Sequence, residues 1–325
     1  MTQPPLARPV LALAVACALA ACEAGTAASR FLSVGTGGTG GVYYPLGGAL
    51  TNRLSLRDST RRYTAEVTGG SVENVNRVRG GQIDLGFALS VTAHEAFHGG
   101  TDYPVPVTDL RLVAPLYPNV THVLVRPGAA VRALEDLRGQ RVSVGSAGSG
   151  TEQVSRQLLE AVGLDYDDIQ ARYLSFSESA AALADGAIDA AIISVGYPAA
   201  AVLEATTTGG ARLIPITEKH FEALRERYPY YSPGEIPGGV YPGVTEPVPT
   251  AAMMNWVVGL ESLDDDVVTL LLNILDQERV SLAQSHEMAG RIEFASFADP
   301  TIPLHPAAQR WWVAFSERSR ETDAN

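Results

Sequence analysis

Apolar and polar positions along the chain switch repeatedly between short continuous apolar runs and stretches with apolar residues three and four apart. Residues 31–34 read as a short strand. Pro45 suits the first turn of a helix running to about Leu56, with Leu46, Leu50 and Leu54 on one face. A strand follows over 63–68, and TGGSVENVNRVRGG supplies a helix with Ser71 as N-cap and Gly80 as its stop, leading into a strand over 83–89. Such strand–helix–strand units call for a largely parallel sheet with right-handed crossovers.

The second half repeats the pattern. A strand over 141–145 feeds the turn GSAGSGTE and a helix over 153–162 closed by Gly163, with a further strand over 171–174. FSESAAALADGAIDAAIISVG then gives a capped helix, a stop at Gly186 and a strand over 188–194. VENVNRVRGGQIDLGFALS and ESAAALADGAIDAAIISVG share one architecture: helix, glycine, Ile-Asp, apolar strand and terminal serine, Ser90 in one and Ser194 in the other. Two similar α/β lobes are implied, each with its ligand crevice at the carboxyl ends of parallel strands. Strands over 112–117 and 122–126, joined through Pro118 and Asn119, supply a first crossing between lobes, and the apolar run 251–260 the return. Helices over 263–285 and 306–320 are expected to pack back on the first lobe. The division is therefore 31–119 plus 256–325 against 120–255, two lobes hinged to close over a ligand.

Each lobe opens with a glycine-rich turn after a strand: GTGGTGG at Gly35 to Gly41, and GSAGSGTE at Gly145 to Glu152. A turn of this kind leaves backbone N–H groups and the positive end of a helix pointing outward, suited to a carboxylate or phosphate. Two of them suggest a ligand gripped from both sides.

Charge narrows the class. The net charge of -12, with Lys219 the only lysine among 325 residues, excludes a phosphate-tracking surface for nucleic acid. At the N-terminus, Arg8 precedes an apolar run from Val10 to Ala21 that is too short for a membrane span and reads as a signal-peptide core. It ends Leu19-Ala20-Ala21-Cys22, which resembles the lipobox of bacterial lipoproteins, so residues 1–21 are expected to be cleaved and Cys22 lipidated. Cys17 lies inside the signal, leaving Cys22 as the single mature thiol, better explained by lipid than by a disulfide. The alternative is plain secretion with cleavage before Phe31.

Other motifs compete. Gly35-x-Gly37-x-x-Gly40 satisfies a dinucleotide fingerprint, but the acidic residue expected to end the next strand has only Glu66 as an approximate candidate. Neither glycine turn continues into the Gly-Lys-[Ser/Thr] of a phosphate loop. His94-Glu95-Ala96-Phe97-His98 is a literal HExxH, the arrangement of zinc peptidases, and makes an exported hydrolase the alternative function. Gly99-Gly100 ends that helix at once, and the extended form of the motif fails at Thr101. The expectation is no metal, no cofactor and no catalysis.

The runs VGTGGTGGVYYPLGGAL, TGGSVENV, APLYP, LEDLRGQRVSVGSAGSGTE, YLSFSE and IPGGVYPGV resemble the TAXI family of solute-binding proteins, receptors of one class of TRAP transporters. The resemblance implies a type II periplasmic-binding fold, no catalysis, and an integral membrane permease as partner that drives uptake with an ion gradient. It also implies a small anionic metabolite, such as a glutamate-like amino acid or a 2-oxo dicarboxylate. A monomer in the periplasm, lipid-anchored to a bacterial membrane, is the expected state.

For the ligand site, the turns nominate Thr39 and Gly40 from the first lobe and Ser146, Ser149, Gly150 and Thr151 from the second, as hydroxyl and backbone donors. Tyr43 or Tyr44 covers the ligand, at most one of them, because adjacent helical residues diverge by about 100 degrees. Ser71 either caps its helix or meets the ligand, and Asn74 either meets the ligand or supports the cap region. Ser90, Ser194 and Gly196 stand at strand ends. Tyr117 lies beside the crossing, as a ligand contact or as core.

Overall fold

The computed structural model describes residues 30–323. Cys22 and the signal segment lie outside the described residues. Strand β1 (Arg30–Gly35) runs parallel to β2 (Arg61–Glu66) and β3 (Leu85–Leu89), joined through α1 (Tyr43–Arg57) and α2 (Ser71–Arg79). Leu46, Leu50 and Leu54 are buried on α1, as their spacing predicts. After α3 (Ser90–His98) the chain enters β4 (Leu110–Val125), a single strand of 16 residues. The two separate strands expected here are one. Pro118 and Asn119 continue the ladder, pairing with Met254 and Met253 of β10 (Val248–Leu260), so the proline removes one donor without turning the chain.

Beyond β4 come β5 (Arg141–Ser143), α4 (Gly150–Ala161), β6 (Gln170–Arg172), α5 (Phe176–Ala184) and β7 (Ala190–Val195), with β5 parallel to both β6 and β7. Next follow α6 (Ala200–Thr207), β8 (Arg212–Ile214), α7 (Glu218–Arg227) and β9 (Ser232–Ile236). The chain returns through β10. The long helix expected over 263–285 is broken into α8 (Asp265–Gln277) and α9 (Arg279–Leu282), and α10 (Pro306–Asp323) ends the described chain.

The strands form one ten-stranded sheet in the order β2-β1-β3-β10-β4-β7-β5-β6, with β8 on β4 and β9 on β10. Its middle is shared. The second half of β10 pairs with β3 while its first half pairs with β9, and the second half of β4 pairs with β7 and β8. Two parallel α/β lobes are thus stitched by two antiparallel strands that belong to both. One apolar core joins Leu32, Leu50, Phe87 and Leu271 of the first lobe to Ile193 and Val202 of the second; another gathers Val142, Leu158 and Ile192. Burial of such side chains stabilises by roughly 1.5–3 kcal/mol each. No helix among the described residues is long and apolar enough to cross a membrane.

Candidate functional site

The glycine turns of the two lobes meet. The Glu73 N–H at the start of α2 donates to the Gly148 carbonyl at 2.9 Å, and the Ala201 N–H donates to the Gly40 carbonyl at 3.2 Å. Beside these turns, α3 of the first lobe is tied to α4 of the second. Thr92 Oγ1 donates to Gln153 Oε1 at 2.6 Å, Gln157 Nε2 to Glu95 Oε1 at 2.6 Å, and Arg156 pairs with Asp102 at 2.6 Å. The lobes are closed upon one another.

Between them lies a cavity of about 430 Å³. The first lobe lines it with Gly37, Gly38, Gly41, Val42, Tyr43, Gly69, Gly70 and Ser71. Ser149, Gly150, Thr151, Phe176, Ser194 and Val195 line it from the second lobe, and Tyr117 and Asn119 of the shared strand β4 form its floor. The lining includes the starts of four helices, α1, α2, α4 and α5. First-turn amides of a helix have no intrahelical carbonyl, so each start offers donors and a positive partial charge.

Polar groups on the floor are wired across the lobes. Tyr43 Oη donates to Asn255 Oδ1 at 2.6 Å, Asn119 Nδ2 donates to the same oxygen at 3.2 Å, and Ser194 Oγ donates to Asn119 Oδ1 at 2.6 Å. Asn255 Nδ2 donates to the Tyr117 carbonyl at 2.9 Å. Tyr117 Oη itself is buried without a partner. Burial pushes the phenols of Tyr43 and Tyr117 well above their ordinary value, so both act as neutral hydroxyls.

Of the residues expected at the ligand, Tyr43, Ser71, Tyr117, Ser149, Gly150, Thr151 and Ser194 line this cavity. Tyr43 is turned in and Tyr44 is exposed, in keeping with their divergence on the helix. The other six lie off the lining. Thr39 is exposed, and Ser146 is half-buried with its carbonyl accepting from Ser149 N–H. Gly40 spends its carbonyl on Ala201, and Gly196 packs against the Tyr117 ring. Asn74 Nδ2 donates to the carbonyls of Gly35, Thr36 and Phe87, holding β1 to β3. Ser90 Oγ accepts from Met254 N–H.

Ser71 is not the N-cap of α2. Gly70 holds that position with φ of 121°, and Ser71 Oγ accepts from Leu89 N–H at 3.0 Å, fixing the helix start against the end of β3. Ser149 does cap α4, accepting from Glu152 N–H. Thr151 Oγ1 contacts both the N–H and the carbonyl of Ser194, so part of its hydrogen bonding is internal to the second lobe. Asn119, Asn255 and Phe176 escape sequence reasoning. Phe176 stands within YLSFSE, directly after the cap Ser175, which is the one signal that could have nominated it.

The HExxH side chains face other partners. Glu95 Oε1 accepts from Gln157 and from Tyr230 Oη, and His98 Nε2 lies 3.0 Å from the Thr301 carbonyl. No group of three His, Cys, Asp or Glu able to hold a metal occurs among the described residues.

A family model described as the NMT1-like family matches residues 34–313. The chain belongs to the NMT1-like family. It is also 31% identical over 134 residues to a protein of Escherichia coli (strain K12) described as a candidate aliphatic sulfonates-binding protein, a match spanning 41% of this chain and 39% of that one. Among solved structures, PhnD1 of Prochlorococcus marinus (MIT 9301), in complex with methylphosphonate, superposes with a TM-score of 0.54 at 14% identity, covering 90% of this chain and 98% of that one. A protein from Bordetella bronchiseptica RB50 gives 0.54 at 18% identity, covering 84% and 79%. At such identities the likeness fixes the fold, the two-lobed fold of periplasmic binding proteins. These likenesses are to binding proteins at large, and the TAXI assignment rests on the sequence motifs alone.

Proposed function

We propose that this protein is an extracytoplasmic solute-binding receptor that captures a small acid between its lobes and delivers it to a TRAP-type membrane permease. The observation that carries the reading is the unpartnered hydroxyl of Tyr117, fully buried on the floor of a cavity ringed by four helix starts. A buried donor without a partner costs about 1–3 kcal/mol, and a bound acid oxygen would supply the partner. The sulfonates-binding relative supports an acidic ligand, and the TAXI-like motifs support the TRAP partner. Residues 31–119 with 256–325 form one moving lobe in this reading and 120–255 the other, in a monomer anchored through Cys22 at the periplasmic face of a membrane. Catalysis has no part in it.

A thermal-shift screen over small carboxylates, sulfonates and phosphonates, followed by calorimetry on the hits, tests the proposal. One ligand per chain, recovered unchanged, is the expected result, because a ligand specific for the native state stabilises it by mass action. Consumption of the ligand in proportion to protein, abolished by His94→Ala, would replace the receptor with a hydrolase.

A further inference from the structure

Every side chain on the cavity lining is uncharged. Eight of the lining residues bring only glycine or aliphatic surface, and the remainder bring hydroxyls, one amide and the Phe176 ring. This matters for what an acid may carry besides its acidic group. An amino acid arrives with an ammonium, and a buried ammonium without a carboxylate beside it is heavily penalised, since desolvation of an unpaired charge costs several kcal/mol.

The nearest acidic side chains are engaged elsewhere. Glu73 Oε2 accepts from Gly69 N–H, Glu178 Oε2 from Ser175 N–H, and Glu152 Oε1 from Tyr166 Oη. Glu66 pairs with Arg77. The backbone adds to the selection, because the starts of α1, α2, α4 and α5 all present their positive ends to the cavity, a field that favours an anion and opposes a cation. Tyr117 Oη offers a neutral donor in the same space.

Resting on the receptor reading above, we infer that the ligand is an organic acid without an amino group: an oxo, hydroxy or unsubstituted carboxylate, a sulfonate or a phosphonate. Its anionic oxygens are held by backbone N–H groups and neutral hydroxyls, and its remainder lies against Val42, Val195 and Phe176. The site thus separates an amino acid from the acid of the same skeleton by omitting a counter-charge. Omission of one charged partner is a cheap way to reject a whole class.

Matched pairs that differ only in the amine test this on the full mature chain. The pairs are pyruvate and L-alanine, 2-oxoglutarate and L-glutamate, ethanesulfonate and 2-aminoethanesulfonate, and methylphosphonate and aminomethylphosphonate. In each pair for which calorimetry detects binding, the amine-free member should bind at least tenfold tighter. Asn119→Asp, which puts a carboxylate on the cavity floor, should shift that ratio toward the amine-bearing member. An amino acid that binds as tightly as its amine-free partner overturns the inference and leaves the receptor standing. Absence of binding across all pairs overturns both.

Discussion

Ser71 of α2 and Gly150 of α4 approach so closely across the cleft that a β-carbon on Gly150 would lie 2.7 Å from Ser71 Oγ. One residue belongs to each lobe, and each opens a helix. The contact exists only when the lobes are together, and only a residue without a side chain permits it. Gly150→Val is therefore expected to hold the lobes apart and weaken ligand binding at least tenfold. Calorimetry together with the radius of gyration in solution checks this; wild-type affinity in the variant contradicts a closed cleft at this point.

Tyr117→Phe removes the unpartnered hydroxyl and nothing else. If that hydroxyl donates to an anionic ligand, its loss costs roughly 1.5–3 kcal/mol, or about tenfold to a hundredfold in affinity. The ligand-free protein loses no hydrogen bond, so its melting temperature should stay level or rise. A fall in melting temperature with unchanged affinity would mark Tyr117 as core alone.

Glu95 links closure to pH. Its carboxylate is held between the lobes by Gln157 and Tyr230, and Oε2 is buried without a partner. Burial raises its pKa, Asp102 adds to the rise, and Gln153, Tyr230 and Arg156 oppose it; Tyr228, His94 and His98 complete the titratable surroundings. A carboxyl whose pKa is higher closed than open binds protons on closing, so closure is favoured at low pH. That advantage disappears as pH climbs from the ordinary carboxyl value through the raised one. Affinity for an acid that stays ionised throughout, such as ethanesulfonate, should fall across that window, and Glu95→Gln should flatten the fall. An unchanged slope in the variant sinks the assignment.

Cys22→Ser should move the protein from the membrane fraction to the soluble periplasm or stall its processing. Intact mass of the native protein reads the same point directly. An unmodified N-terminus downstream of Cys22 would exclude the anchor.

Most of the fold is written locally. Glycine stops, serine caps and the three-and-four spacing on α1 place the helices within a few residues, and the second glycine turn delivers Ser149, Gly150 and Thr151 to the cavity. The first turn misleads. Thr39 and Gly40 have the right chemistry, but the turn bends so that Gly37, Gly38 and Gly41 face inward while Gly40 meets Ala201 of the other lobe, a contact without local signature. Asn119 and Asn255 are set by strand register, which depends on pairing partners 136 positions apart in sequence. Ser71 was legible as a helix start; its bond to Leu89 depends on where β3 ends.

Strands β4 and β10 carry a last consequence. Their ladder slips register between Met254 and Trp256, opposite a stretch of β4 containing Pro115 and Pro118, neither of which has an N–H to give. The two strands are thus loosened where they pass under the cavity, like a leaf spring thinned at its centre. Tyr117, Asn119 and Asn255 stand on that thinned stretch. Flexure that opens the mouth strains the Asn119–Asn255 bond in the same movement, so unlatching and letting go of the cargo become a single event.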